Sequence, residues 1–207
     1  MAYLYLIRHG QTDMNTHHML QGRTDTHLNE TGIHQADMAG EFIKKNNIRP
    51  DLVMTSPLVR TVETACHVTG LDRDSFITEP MLVEMSFGEY EGKEVRRLDP
   101  VFEHDFFNDP VHVKMPDGAE SFEHILKRAS DFMDKMFSEF GGDDKRTAFA
   151  FGHGAIIHAI LAVIKKKELK DFWSEPVHNA AVIRVSFNGR GRYNAVTIFE
   201  GFPSGNM

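Results

Sequence analysis

The sequence predicts an α/β fold with a mainly parallel central sheet and helices on both of its faces. Three observations predict it. Short apolar runs alternate with segments of helical period through most of the chain. Those runs are apolar at successive positions, as strands covered on both faces must be. Polar clusters stand directly after three of them: Arg8-His9-Gly10, Ser56 to Arg60, and Gly152-His153-Gly154. Ligands on open parallel sheets sit beyond the carboxyl ends of the strands, so convergence of three strand ends on one crevice is what a site here requires.

The elements follow in order. Ala2 to Ile7 reads as a buried strand stopped by Gly10. Asn29 or Thr31 can cap a helix reaching about Asn46, with Ile33, Ala36, Ala39, Phe42 and Ile43 as its apolar stripe. Leu52 to Thr55 is a second strand. Ser56-Pro57 then reads as an N-cap with proline at the first helical position, opening a helix that Gly70 closes after Thr69. Cys66 on that helix reads as a small buried hydrophobe.

Ser121 can cap a helix carrying Phe122, Ile125, Ala129, Phe132, Met136 and Phe140, which Gly141-Gly142 stops. Thr147 to Phe151 is a third strand, and an apolar helix follows Gly154. Ala180 to Phe187 and Tyr193 to Phe199 are further strands, with Asn188-Gly189 as a turn signal between them.

A chain of 207 residues without repeats, low-complexity stretches or a Pro/Gly/Ser-rich linker reads as one domain over 1–207. A hydrophobic fraction of 41% argues against disorder. The net charge of -7 disfavours nucleic acid and anionic membranes as partners. The expected partner is instead a small anionic ester, met by cations concentrated in one cleft. A lone cysteine allows no intrachain disulfide. Met1 to Ile7 lacks the basic start of a signal peptide, and Ala155 to Ile164 is too short to cross a bilayer, so the expected location is the cytoplasm. The oligomeric state is open, with a dimer among the options.

Four positions carry candidate chemistry. His9 supplies an imidazole nitrogen, a competent nucleophile toward phosphorus near neutral pH. Arg8 beside it can hold phosphate oxygens with paired donors. Arg60 lies in the first turn of its helix, where a cation opposes the helix dipole and so needs another reason to be there. An anion at that helix start is one such reason. His153, between two glycines, can donate to a phosphoryl oxygen. Glu84 can protonate a leaving alkoxide and then activate water, but Glu89 and Glu91 compete with it on composition alone. Each motif taken singly also reads as ordinary structure.

Together the segments resemble the histidine phosphatase superfamily. The matching stretches, in order, are Leu6 to Asn15, Gln21 to Asp25, Thr55 to Ala65, and Phe151 to Gly154, with Glu84 to Gly92 similar to that family's acid/base loop. The resemblance implies a three-layer α/β/α sandwich of the phosphoglycerate mutase-like kind. It implies His9 as the phosphorylated nucleophile, Arg8, Arg60 and His153 around the transferred group, and Glu84 as proton donor. Asn15, Gln21, Gly22 and Gly154 would contact the substrate. No metal or other cofactor is implied. Met14 and Tyr90 stand where tryptophan is common in the family, Thr61 where alanine is usual, and His27-Leu28-Asn29 replaces a proline-led version; none removes a catalytic group.

The resemblance leaves phosphatase, cofactor-dependent phosphoglycerate mutase and a non-catalytic phosphate-binding protein as readings. Mutase relatives carry a longer insertion after the acid/base loop, whereas Lys93 to Gly118 is compact here, which favours hydrolysis. That segment, 93–118, contains Arg96, Arg97, Phe102, Phe106 and Phe107 and is a candidate cap over the cleft. Retention of Arg8, His9, Arg60, Glu84 and His153 argues against a binding protein. His17, His18, His104 and His112 receive no role.

Overall fold

Alternation along the first strand sets the layers. Strand β1 (Ala2–Arg8) sends Leu4 and Leu6 into one apolar cluster and Tyr5 and Ile7 into another, on the opposite face. The computed structural model describes residues 2–140, 145–188 and 192–203. Besides β1 it contains helices α1 (Asp13–Thr16) and α2 (Glu30–Lys45), strand β2 (Leu52–Thr55), helix α3 (Val59–Thr69) and the two-residue strand β3 (Ile77–Thr78). Helices α4 (Pro100–Asn108) and α5 (Phe122–Phe140) follow. Strand β4 (Thr147–Gly152), helix α6 (Gly154–Lys165) and strands β5 (Val182–Asn188) and β6 (Arg192–Phe199) complete the fold.

The six strands form one sheet in the order β3-β2-β4-β1-β5-β6. β3-β2, β2-β4 and β4-β1 pair in parallel, while β1-β5 and β5-β6 pair antiparallel. The mainly parallel sheet is thus an α/β sheet finished by an antiparallel edge, as large sheets commonly are. On one face α2 and α3 pack Ala36, Ala39, Ile43, Ala65 and Val68 against Tyr5, Ile7, Val53, Phe149 and Phe151. On the other, α5 and α6 pack Phe122, Ile125, Phe132, Ile156 and Ile160 against Leu4, Leu6, Ala148, Ala150 and Ile183. Truncating one of these large buried side chains to alanine would cost about 2–5 kcal/mol.

Local sequence accounts for most boundaries. Asn29, not Thr31, caps α2: its side chain accepts from the Gly32 amide at 2.8 Å. Gly70 closes α3 at φ 70°, a left-handed conformation glycine adopts without strain. Ser121 accepts from the His124 amide at 3.1 Å and so caps α5.

Other expectations are corrected. Ser56-Pro57 does not start α3. Pro57 and Leu58 lie in a bend, Leu58 keeps extended dihedrals, the helix begins at Val59, and Asp25 Oδ1 accepts the Val59 amide at 2.8 Å in place of a serine cap. Ile33 of the α2 stripe is exposed, because the helix faces the sheet through Ala36, Ala39 and Ile43. Cys66 is half-buried, with burial raising its thiol above the usual range. The compact 93–118 segment, for which the sequence suggested no helix, contains helix α4. Gly141-Gly142, Gly189 and the Phe140 side chain lie outside the described residues.

Candidate active site

The site begins with register. In the order β2-β4-β1, Thr55 stands beside Phe151 and Gly152 beside Arg8, so the three polar clusters leave the sheet side by side. Backbone bonds continue past the strand ends: the His9 amide donates to Gly152 O at 3.1 Å and the Ser56 amide to Phe151 O at 2.9 Å.

His9 is buried at 3% exposure. Its Nδ1 lies 2.6 Å from the carbonyl oxygen of Gly10. A carbonyl only accepts, so Nδ1 carries the proton and Nε2 keeps its lone pair. Among the described residues Nε2 has no hydrogen-bond partner. Burial, then the charges of Arg60 and Arg8, holds the ring well below the usual histidine range, with the Gly10 carbonyl acting weakly the other way. The ring is therefore neutral, as a nucleophile must be.

Arg60 is fully buried. Nη1 donates to Thr24 O and Nη2 to Gly22 O, both at 2.8 Å, and Nε donates to His153 Nδ1 at 3.1 Å. Burial pushes the guanidinium down to about 10, against the pull of Glu84 and Asp25, so it remains a cation at neutral pH. His153, also fully buried, has Nε2 2.7 Å from Ser56 Oγ. Both of its ring nitrogens are engaged, so a direct bond from His153 to a bound phosphoryl oxygen needs one of these to be exchanged. Arg8 donates through Nη1 to Val177 O at 2.6 Å, while its buried Nε has no hydrogen-bond partner among the described residues. An unsatisfied buried guanidinium nitrogen is costly unless a ligand completes it.

Glu84 meets the amino end of α6. Its Oε2 accepts from the Ala155 amide and its Oε1 from the Ile156 amide, both at 3.1 Å, with Met85 N at 2.9 Å from Oε1. A carboxylate suits a helix N-terminus. The competition among acids is decided by position. Glu89 is exposed. Glu91 is committed elsewhere, accepting from the amides of Arg23 and Thr24 at 3.0 Å and from Thr24 Oγ1 at 2.9 Å.

Arg8, His9, Arg60 and Glu84 line one pocket of about 370 Å³, together with Asn15, Gln21, Gly22 and Gly154, whereas His153 does not line it. Asn15 turns its Oδ1 to the Thr12 amide at 3.1 Å, and its amide NH2 meets no acceptor among the described residues. Gly22 holds φ 52°, and a Cβ there would lie 2.2 Å from Glu91 Oε1. Gly154 lets the pocket reach Arg8 and Glu84, each 3.7 Å from where its Cβ would be. Phe106 and Phe107 of α4 and Trp173 also line the pocket. Arg96 and Arg97 pair with Glu94 and do not line the pocket. Of the unassigned histidines His18 lines the pocket, while His17, His104 and His112 do not. Among the described residues no group of three or more His, Cys, Asp or Glu side chains is placed to hold a metal ion, and no helix is long and apolar enough to cross a membrane.

Some site residues are invisible to motif reading. Asn179 donates to His9 O at 3.1 Å and sits 3.5 Å from Asn15 Oδ1, across a sequence gap of about 170 residues. Thr64 Oγ1 accepts the Gly10 amide at 3.1 Å. Ser56 carries a signal, but a misleading one, since Ser-Pro is also a helix-start pattern.

A family description matches residues 4–198: the histidine phosphatase superfamily, branch 1. A protein of Hydrogenobacter thermophilus provisionally named phosphoserine phosphatase 2 is 31% identical over 193 residues, 91% of each chain. Among solved structures, Bacillus stearothermophilus YhfR superposes with a TM-score of 0.84 at 26% identity, covering 99% of both chains. A mycobacterial glucosyl-3-phosphoglycerate phosphatase in complex with VO3 gives 0.80 at 27% identity, over 93% of this chain and 96% of that one.

Proposed function

This chain belongs to the histidine phosphatase superfamily, and we propose on that premise that it is a metal-independent phosphatase of small phosphomonoesters. The observation that carries the reading is the bond from His9 Nδ1 to Gly10 O, which leaves Nε2 nucleophilic in a pocket holding two guanidinium groups and a carboxyl group. The Nε2 lone pair attacks phosphorus, and the bond to the ester oxygen breaks. The Glu84 carboxyl group gives its proton to that oxygen. Water then gives a proton to Glu84 and attacks the phosphohistidine, the P–N bond breaks, and phosphate leaves with His9 neutral again. Arg8 and Arg60 hold the transferred oxygens, Arg8 through its open Nε, while His153 orients Arg60. Asn15 adds a donor. Helix α4 serves as the cap over the cleft.

Hydrolysis is favoured over mutase chemistry by the charges around the pocket. Arg8 and Arg60 are the only lysine or arginine side chains among its described lining residues. A bisphosphate primer would bring a second dianion to a wall of Phe106, Phe107 and Trp173. The named relatives act on different phosphate esters, so the family does not fix the leaving group.

The test is phosphate release from a panel of phosphomonoesters with chelator present, with trapping of acid-labile phosphate on the protein. Label on His9 and release in chelator are expected, and His9→Ala should lose both while keeping its melting temperature. Near-normal turnover in His9→Ala would rule out this nucleophile. Transfer between phosphoglycerate isomers that depends on a bisphosphate would replace hydrolysis by mutase activity.

A further inference from the structure

Residues 83–86 belong to no helix and no strand, and Phe87 makes only an isolated bridge to Ala119, yet this stretch carries the acid/base carboxyl group. Backbone carbonyls in such a stretch need other donors. Here the donors have a common source. Arg128 Nη1 donates to Met81 O at 2.8 Å and to Val83 O at 2.5 Å. Arg23 Nε donates to Glu84 O at 3.3 Å. Both guanidinium groups are held by one carboxylate: Glu120 accepts from Arg128 Nη2 at 2.7 Å and Nε at 3.1 Å, and from Arg23 Nη2 at 3.3 Å. The Glu120 amide itself donates to Ser86 O at 2.9 Å. The carbonyls of Met81, Val83, Glu84 and Ser86 are therefore all bonded to Glu120 or to an arginine it holds.

We propose that Glu120 is a positioning residue for the Glu84 carboxyl group, acting through Arg128 and Arg23. The inference rests on the phosphatase reading above. Glu120 lines no part of the pocket, and its side chain is 3% exposed. Its bidentate hold on Arg128 fixes a planar fork, whose third face then grips the main chain next to Glu84. From the other side the amides of Ala155 and Ile156 hold the Glu84 carboxylate. Proton transfer to a leaving oxygen depends on placement to within a fraction of an ångström. The loop is clamped from behind so that Glu84 meets both α6 and the substrate.

The experiment measures phosphohistidine formation by rapid quench in wild type, Glu120→Gln, Glu84→Gln and the double variant, using glycerol phosphate and p-nitrophenyl phosphate. The nitrophenolate leaves without a proton, whereas the alkoxide needs one. Glu120→Gln should slow the alkyl ester about tenfold and the aryl ester less than about threefold, with little change in KM. In the Glu84→Gln background it should add nothing further on the alkyl ester. If Glu120→Gln yields too little folded protein, Arg23→Ala, whose side chain is 45% exposed, carries the same comparison. Equal slowing of both esters, or losses that add in the double variant, would reduce Glu120 to a structural residue. A wild type that never labels His9 with either ester would overturn the phosphatase reading and this proposal with it.

Discussion

The Nε–H of Arg60 donates to Nδ1 of His153 across 3.1 Å and 93 positions of sequence. A guanidinium nitrogen can only donate, so His153 Nδ1 accepts and its proton resides on Nε2, which donates to Ser56 Oγ at 2.7 Å. Burial, then the charges of Arg60, His9 and Arg8, keeps the ring well below the usual histidine range. This contact thus sets the tautomer of His153 and, with the carbonyls of Thr24 and Gly22, holds the Arg60 guanidinium in place.

Ser56→Ala should expose that dependence. It leaves a buried N–H without an acceptor, a penalty of about 1–3 kcal/mol in stability. Thermal unfolding should show the loss, and turnover should fall because His153, which bonds Arg60, loses its second support. Unchanged melting and unchanged kcat/KM would mean that Ser56 does not hold His153.

The pH dependence of the first half-reaction should lack a histidine near 6.5. With its folded value held well below that figure, His9 stays neutral as pH falls from about 7 to about 5.5, where an ordinary histidine would protonate. After correction for ionisation of the ester, the rate of His9 phosphorylation should stay flat across that window. A fall centred near 6.5 would show that His9 is not shielded in this way.

Glu84→Gln should separate esters by their leaving groups. The amide keeps the shape but carries no transferable proton, so phosphorylation by an alkyl ester should slow about a hundredfold or more. Nitrophenyl ester phosphorylation should slow far less. Equal losses would return Glu89 and Glu91 to consideration.

His158 should make the protein acid-sensitive. Burial, then the charges of Arg8 and Lys167, pushes it down to about 3 in the folded state from 6.5. Below pH 6.5 the unfolded chain therefore binds a proton that the folded chain refuses. Stability should fall as pH drops from 6.5 towards 3, by up to about 1.4 kcal/mol per pH unit for this one group. His158→Leu should remove about one proton from that slope in denaturant titrations. An unaltered slope would mean that the ring is not held neutral.

The sequence by itself determined the α/β class, the extents of most strands and helices, and the candidate nucleophile with its arginines. It did so because those features are local. Apolar runs set β1, β2 and β4, Asn29 and Gly70 set helix ends, and the polar clusters that hold Arg8, His9, Arg60 and His153 begin where strands end. Composition alone left Glu84, Glu89 and Glu91 open and the resemblance pointed to Glu84; the tertiary structure showed that it is Glu84 that lines the pocket, since the three share one short loop and differ in what lies opposite them. Glu84 meets the start of α6, while Glu91 is taken by the amides of Arg23 and Thr24. It also turned Ser56 from an expected helix cap into a partner of His153, because Asp25 supplies the cap from another loop. Asn179 and Glu120 could not have been read in advance. Their partners lie 170 and 97 residues away, and hydrogen bonds over such distances depend on how the sheet brings its loops together, which no local pattern encodes.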